Sequence, residues 1–255
     1  MQTGALTSYF DVAQVVLYAF WLFFAGLVYY LLRENKREGY PMIGERGARP
    51  EGWPGVPPAK TFILADGSHL YAPHAEEPEK VNATHTAKWE GSAMQPIGDP
   101  MLAEIGPGAY AQFRADVPDH TFDDGLPKIV PLRTLPEFWL AEEDPQPHGM
   151  QVFGADWVHA GTVVDSWIDR SEVVVRYFEV ELKEGGDHIL LPQHFAQINR
   201  KTRQIKVNAI LGAHFATVPR IKHPETVTLL EEEKLVAYFG GGMMYATPRR
   251  LGPLL

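Results

Sequence analysis

The stretch FWLFFAGLVYYLLRENKREGYP (residues 20–41) changes solvent preference halfway along. Phe20 to Leu32 is apolar, and Arg33 to Glu38 is almost wholly charged. Followed upstream, the apolar run begins at Val12, with Gln14 its one polar member. At about 1.5 Å per residue a helix over 12–32 is roughly 30 Å long, the thickness of a bilayer's hydrocarbon core. A core helix of a soluble protein would show a polar face at that length, and this one shows none. The pattern predicts a retained transmembrane helix over 12–32, after a short N-terminal segment, 1–11. A cleaved signal peptide fits poorly, because residues 1–11 hold no Lys or Arg and the apolar run is too long.

The flanks set an expected orientation. Arg33, Lys36, Arg37, Arg46 and Arg49 all follow the span. The positive-inside rule puts that side in the cytoplasm and the N-terminus in the periplasm. Tyr29 and Tyr30 stand where an interfacial aromatic belt would be. Trp21, Phe23 and Phe24 fall mid-span, facing lipid, other helices or flat cofactors, and Ala25-Gly26 would admit a close neighbour. The span holds no His and no acid. It offers no axial ligand to a haem or chlorophyll metal and no intramembrane proton carrier.

Residues 33–60 read as the end of this helix followed by a surface strap. Charges at three- and four-residue spacing support the helix end, and Gly39 and Pro41 stop it. The strap is rich in Gly and Pro and carries Trp53. Residues 61–150 mix short apolar runs (TFIL, HLYAP) with turn clusters (IGDPM, EIGPGAY). This irregular segment is expected to pack on a partner. From Gln151 the pattern changes to HAGTVVDSWID, EVVVRYFEVEL, DHILLPQHFAQIN and QIKVNAI, with turns at KEGG and NRKTR. Short β-branched runs between turns predict a small antiparallel barrel or sandwich over 151–255. A short C-terminal helix in TVTLLEEEKLVAYFGGGMMYATP closes it. Leu230, Leu235, Val236 and Phe239 are expected to form one stripe, and Gly240 to Gly242 to end the helix. The fold class is therefore one N-terminal transmembrane α-helix plus a mainly β domain with a short C-terminal helix.

Composition narrows the chemistry. Across 255 residues the net charge is −9, which disfavours nucleic-acid binding. Cysteine is absent, which removes disulfides, thiolate metal sites and cysteine nucleophiles. No nucleophile elbow, P-loop or dinucleotide fingerprint occurs, and the ten His show no metal spacing. A membrane-tethered enzyme lacks a catalytic constellation. Asp169, Glu172 and Arg176 fall together around a turn and an incoming strand, with Glu231, Glu232 and Glu233 as further acids. The bland alternatives are a solvated rim and a helix surface. Crowded carboxylates share protons, and some of their pKa values rise toward neutrality.

The ordered segments FWLFFAGLVYYLLRENKREGYP, KTFIL, GDPM, VVDSWID, FEVEL, VNAI, TVTLLEEEK and GGGMMYATPRR span nearly the whole chain. Together they resemble the H subunit of the photosynthetic reaction centre of purple bacteria. The resemblance implies one membrane helix and a cytoplasmic domain of the PRC-barrel type in the intracytoplasmic (chromatophore) inner membrane. It implies that this chain ligates no pigment. Partner L and M subunits would hold bacteriochlorophyll, bacteriopheophytin, the quinones and a non-haem iron. Light-harvesting 1 α/β polypeptides would surround the complex, with membrane lipids between.

The H subunit would cap the cytoplasmic face of L and M and help conduct protons to the secondary quinone. By that resemblance Asp169, Glu172 and Arg176 support proton passage, and Arg37, Glu38 and Tyr40 dock on L and M. Where some members carry a His-rich surface segment for proton uptake, this chain has DVPDHTFDDGLPKIVPL, offering Asp119, His120, Asp123 and Asp124. The alternative is a single-span adaptor whose barrel binds proteins and moves no protons. Copurified bacteriochlorophyll with two pigment-binding chains separates the two.

Overall fold

The computed structural model describes residues 11–40, 42, 52–74, 81–89 and 91–250. Residues 1–10, Pro41, Arg46 and Arg49, and with them part of the flank and strap, lie outside the described residues. The chain divides into two units, Met1–Lys80 with Trp89–Gly91, and Val81–Lys88 with Ser92–Leu255.

The first unit opens with helix α1, Val12–Glu34. Asp11 caps it: its Oδ1 accepts from the Gln14 backbone N–H at 2.7 Å, and the Gln14 side chain accepts from the Asp11 N–H. Gln14, the one polar residue of the apolar run, thus completes a capping box. The helix is long and apolar enough to cross a membrane, and none of it is buried. It ends earlier than the charged run suggests. Asn35–Arg37 tighten into a 3₁₀ turn, and Gly39 at φ +70° takes the left-handed conformation that turns the chain away.

Arg37 then ties the helix end to the returning strap. Its guanidinium pairs with Glu34 at 2.9 Å and donates to the carbonyls of Pro58 and Ala72 at 2.8 and 3.0 Å. Lys36 donates to the Pro54 carbonyl, and the Trp53 ring lies 5.6 Å from that of Tyr29. The strap leads into an antiparallel hairpin of β1, Lys60–Ile63, and β2, His69–Ala72.

The second unit holds a small hairpin of β3, Ala83–His85, and β4, Met94–Pro96. Its centre is a seven-stranded sheet. The strands are β5 (Ile129–Pro131), β6 (Gln151–Phe153), β7 (His159–Asp169), β8 (Val174–Leu182), β9 (His188–Pro192), β10 (Ala196–Asn199) and β11 (Gln204–Val207). They run in the order β10-β11-β6-β7-β8-β9, with β5 on the far end of β7. The expectation of an antiparallel sheet needs one correction, since β11 pairs with β6 in parallel. These two strands are far apart in sequence, so no hairpin constrains their direction. Alternation along β7, β8 and β11 buries Val163, Trp167, Phe178, Val180 and Ile205 in one core. Glu179 is buried too, and is satisfied by Trp167 Nε1 at 3.0 Å, His188 Nδ1 at 2.6 Å and Arg133.

Helix α2, Leu229–Tyr245, covers the core. It does not stop at Gly240–Gly242 but continues through them. A Cβ on Gly241 would stand 3.1 Å from the Gly108 Cα, and one on Gly242 would stand 2.7 Å from the Ala209 carbonyl oxygen and collide with Ile210. The glycines admit neighbouring backbone rather than break the helix. The expected stripe is also narrower: Leu235 and Phe239 are buried, whereas Val236 is exposed.

Candidate functional site

The acid cluster gathers where β7 turns into β8. Asp169 closes β7, and its carboxylate holds the turn. Oδ1 accepts from the backbone N–H groups of Ser171 and Glu172, both at 3.0 Å. Oδ2 accepts from Arg176 Nε and Nη2 at 3.1 and 3.0 Å. Lys128 Nζ stands 3.6 Å from the same oxygen. Asp169 is fully buried, and burial alone would raise its pKa. The Glu172 N–H, the Arg176 guanidinium, Lys128 and the Ser171 N–H outweigh burial and hold the carboxyl below its ordinary value. Asp169 therefore stays ionised, unlike the crowded, proton-sharing acid expected of the pattern.

Glu172 is more than half exposed and pairs with Arg176 at 2.7 Å. Arg176 thus bridges the two acids. It can do so because it sits in a bulge: Trp167 pairs with Tyr177 and Ile168 with Val175, leaving Arg176 as the extra residue of β8. The bulge turns Arg176 and its neighbour Tyr177 toward one cavity, which strict alternation would forbid.

Lys128 arrives by long-range pairing. Ile129 opposes Asp169 in the β5–β7 ladder, and the Arg170 N–H donates to the Lys128 carbonyl at 2.9 Å. Asp119 arrives by another route. The Lys128 N–H donates to its carbonyl at 2.8 Å, and Pro118 forms a bridge with Thr228 at the start of α2. These elements enclose a cavity of about 290 Å³ lined by Asp119, Lys128, Asp169, Arg176, Tyr177, His194 and Glu232 among others.

Glu232 projects from the first turn of α2 and accepts from the Tyr177 hydroxyl at 2.8 Å. Burial raises its pKa above the ordinary value, against the pull of Tyr177 and Arg176. Burial and the nearby Arg176 charge push His194 below its ordinary value. The site thus pairs an acid held ionised with one biased toward its protonated form.

Not every predicted residue joins. Glu231 turns away as the cap of α2: its Oε2 accepts from the Thr228 N–H at 2.9 Å and its Oε1 from the Lys222 N–H at 2.8 Å. Glu233 lines a neighbouring cavity. Asp124 is clamped by Arg170 and Thr121, whose hydrogen bonds depress its pKa. His120 and Asp123 are exposed on the same loop, outside the cavity lining. Arg37 belongs to the first unit, where its donors are taken by Glu34, Pro58 and Ala72; Glu38 follows it, and Tyr40 lies under the Lys36 ammonium at 5.4 Å.

Lys128, Tyr177 and His194 were missed by sequence reasoning. Only the KIVP segment beside Lys128 gave any signal. Among the described residues, no group of three or more His, Asp or Glu could hold a metal ion.

Comparison with known families matches residues 4–134 to the family described as photosynthetic reaction centre, H-chain N-terminal region. Residues 141–213 match the PRC-barrel domain. The first match covers half of the chain, and the second covers β6 to β11.

Proposed function

The chain belongs to the family of photosynthetic reaction-centre H chains, and from that membership we propose how it serves the complex. It is a membrane-associated subunit of a photosynthetic reaction centre. In our reading the second unit is cytoplasmic, caps the L and M subunits, and helps deliver protons to the secondary quinone. The pigments, quinones and iron belong to L and M, and the light-harvesting polypeptides lie around them.

One observation carries the reading: Asp119, Asp169 and Glu232 line one cavity with Lys128 and Arg176, and exposed Glu172 pairs with the same two cations from outside that lining. Two cations among four acids keep some carboxylates ionised, so that they attract protons from solvent. Glu172 is exposed and collects them. Asp169 stays charged and fixes Arg176. Glu232, whose pKa burial raises, takes up a proton more readily than an exposed acid and passes it on through water. This division of labour suits uptake at neutral pH better than a uniform acidic rim.

Replacing Asp169 with Asn and Glu172 with Gln together should slow the second, proton-coupled electron transfer to the secondary quinone, increasingly so as pH rises and protons become scarce. Flash spectroscopy of the purified complex measures this. A rate unchanged across pH would remove both residues from proton delivery. The same preparation separates the adaptor reading, because a colourless chain without pigment-binding partners would sink the proposal.

A further inference from the structure

Glu232 stands between two cavities. The first is the 290 Å³ space of the acid cluster. The second, about 470 Å³, is bounded by Pro107, Ala109, Arg114, Phe195 and Glu233 among others. Among the described residues, only Tyr177, Glu232 and Val236 line both. The partition is therefore one aromatic ring, one aliphatic side chain and one carboxyl. Of its two titratable groups, Tyr177 is buried in the core and donates its hydroxyl to Glu232 Oε2. That bond fixes the carboxyl and leaves Oε1 to carry an exchangeable proton.

We propose that Glu232 is a two-sided proton relay, and that the larger cavity is a second proton inlet beside the smaller one. In one passage a hydronium ion in the larger cavity gives its proton to the Glu232 carboxylate and becomes water. The O–H bond of the acid then breaks toward a water in the smaller cavity, forming hydronium there. The carboxyl returns to its starting state and no electron moves. Charged groups face the relay from both sides. Glu233 and Arg114 stand on the larger side. On the smaller side are Asp169 from β7, Arg176 from β8, Asp119 and Lys128 from the chain before β5, and His194 after β9. Burial raises the pKa of Glu232, which favours capture of a proton by its carboxylate. The direction of flow rests on the proton-delivery reading above; the two-sided access does not.

The test is infrared hydrogen–deuterium exchange on the purified complex with the full chain. The carboxylic C=O band lost in Glu232→Gln identifies the group. Ala109→Trp places a ring at the exposed edge of the larger cavity, and His194→Trp does so at the smaller. Each alone should leave most of the exchange at Glu232, and the two together should slow it at least several-fold. The relay is overturned if His194→Trp alone stops exchange, if Ala109→Trp adds nothing to it, or if Glu232 gives no carboxylic band at any pH where the complex is intact.

If a ring disturbs folding, seen by circular dichroism, Glu233→Arg replaces the plug at the larger cavity. A positive charge there slows exchange on the blocked-smaller-side background only if protons arrive from that side. Plugs that slow the infrared exchange but leave the second electron transfer untouched would defeat the delivery reading and keep the relay. Slowed transfer in the Asp169 and Glu172 variant, with exchange insensitive to the larger-cavity substitutions, would do the reverse.

Discussion

Asp169 and Glu232 face one cavity with opposite titration. The folded-state pKa of Asp169 lies below its ordinary value of 3.8. Its contribution to stability is therefore complete above that value and is lost as pH falls through the lowered pKa. Asp169→Asn should lose stability at neutral pH, and its stability should fall less steeply in acid. Chemical denaturation of the chain from neutral to strongly acidic pH checks both. An acid limb as steep as that of the parent would mean that the turn donors do not favour the charged form. Glu231, one helix position earlier, is a structural residue by its contacts. Glu231→Gln keeps part of the cap, whereas Glu231→Ala removes it, at a cost of about 1 kcal/mol. Thermal unfolding should separate the two variants while both retain the parent rate of proton-coupled electron transfer. A slowed rate at unchanged stability would instead return Glu231 to the proton path.

Helix α2 passes through three glycines where helix propensity alone would favour a stop. Ala at an open helical position is worth about 1 kcal/mol over Gly. At Gly242 the sign reverses, because the added methyl would strike Ile210 and the Ala209 carbonyl. Gly242→Ala should destabilise the domain by about 1–3 kcal/mol. A higher melting temperature would show that the helix has room to shift. The β8 bulge has a comparable importance for the site. Without its extra residue, Arg176 and Tyr177 would face opposite sides of the sheet, and the bridge between Asp169 and Glu172 would not form.

Both units expose large aromatic side chains: Trp53 on the first, and Phe113, Phe122 and Trp139 on the second. Burial of such groups against a partner would stabilise a contact. The apolar helix adds the membrane to these attachments, and no part of it is buried within the chain. Deleting residues 1–33 should lower the yield of complete complex, because the remaining chain would dock by its surface alone. Quantifying the pigmented complex after mild-detergent purification tests this. Normal yield from the truncation would make the anchor dispensable.

The sequence by itself determined the apolar helix, the strands from His159 onward and the acidic cluster at the β7–β8 turn. All of these depend on neighbours within a few residues, where periodicity, capping and turn chemistry act. Tertiary structure decided which acids share a cavity. Asp119 and Lys128 reach Asp169 through the pairing of β5 with β7, and Glu232 reaches them because the chain before β5 bridges to Thr228. The pattern TLLEEEK shows three adjacent acids. Glu231 closes a local capping box with Thr228; packing aims Glu232 and Glu233 at cavities, because a helix turns about 100° per residue and only the packed face tells which acid points inward.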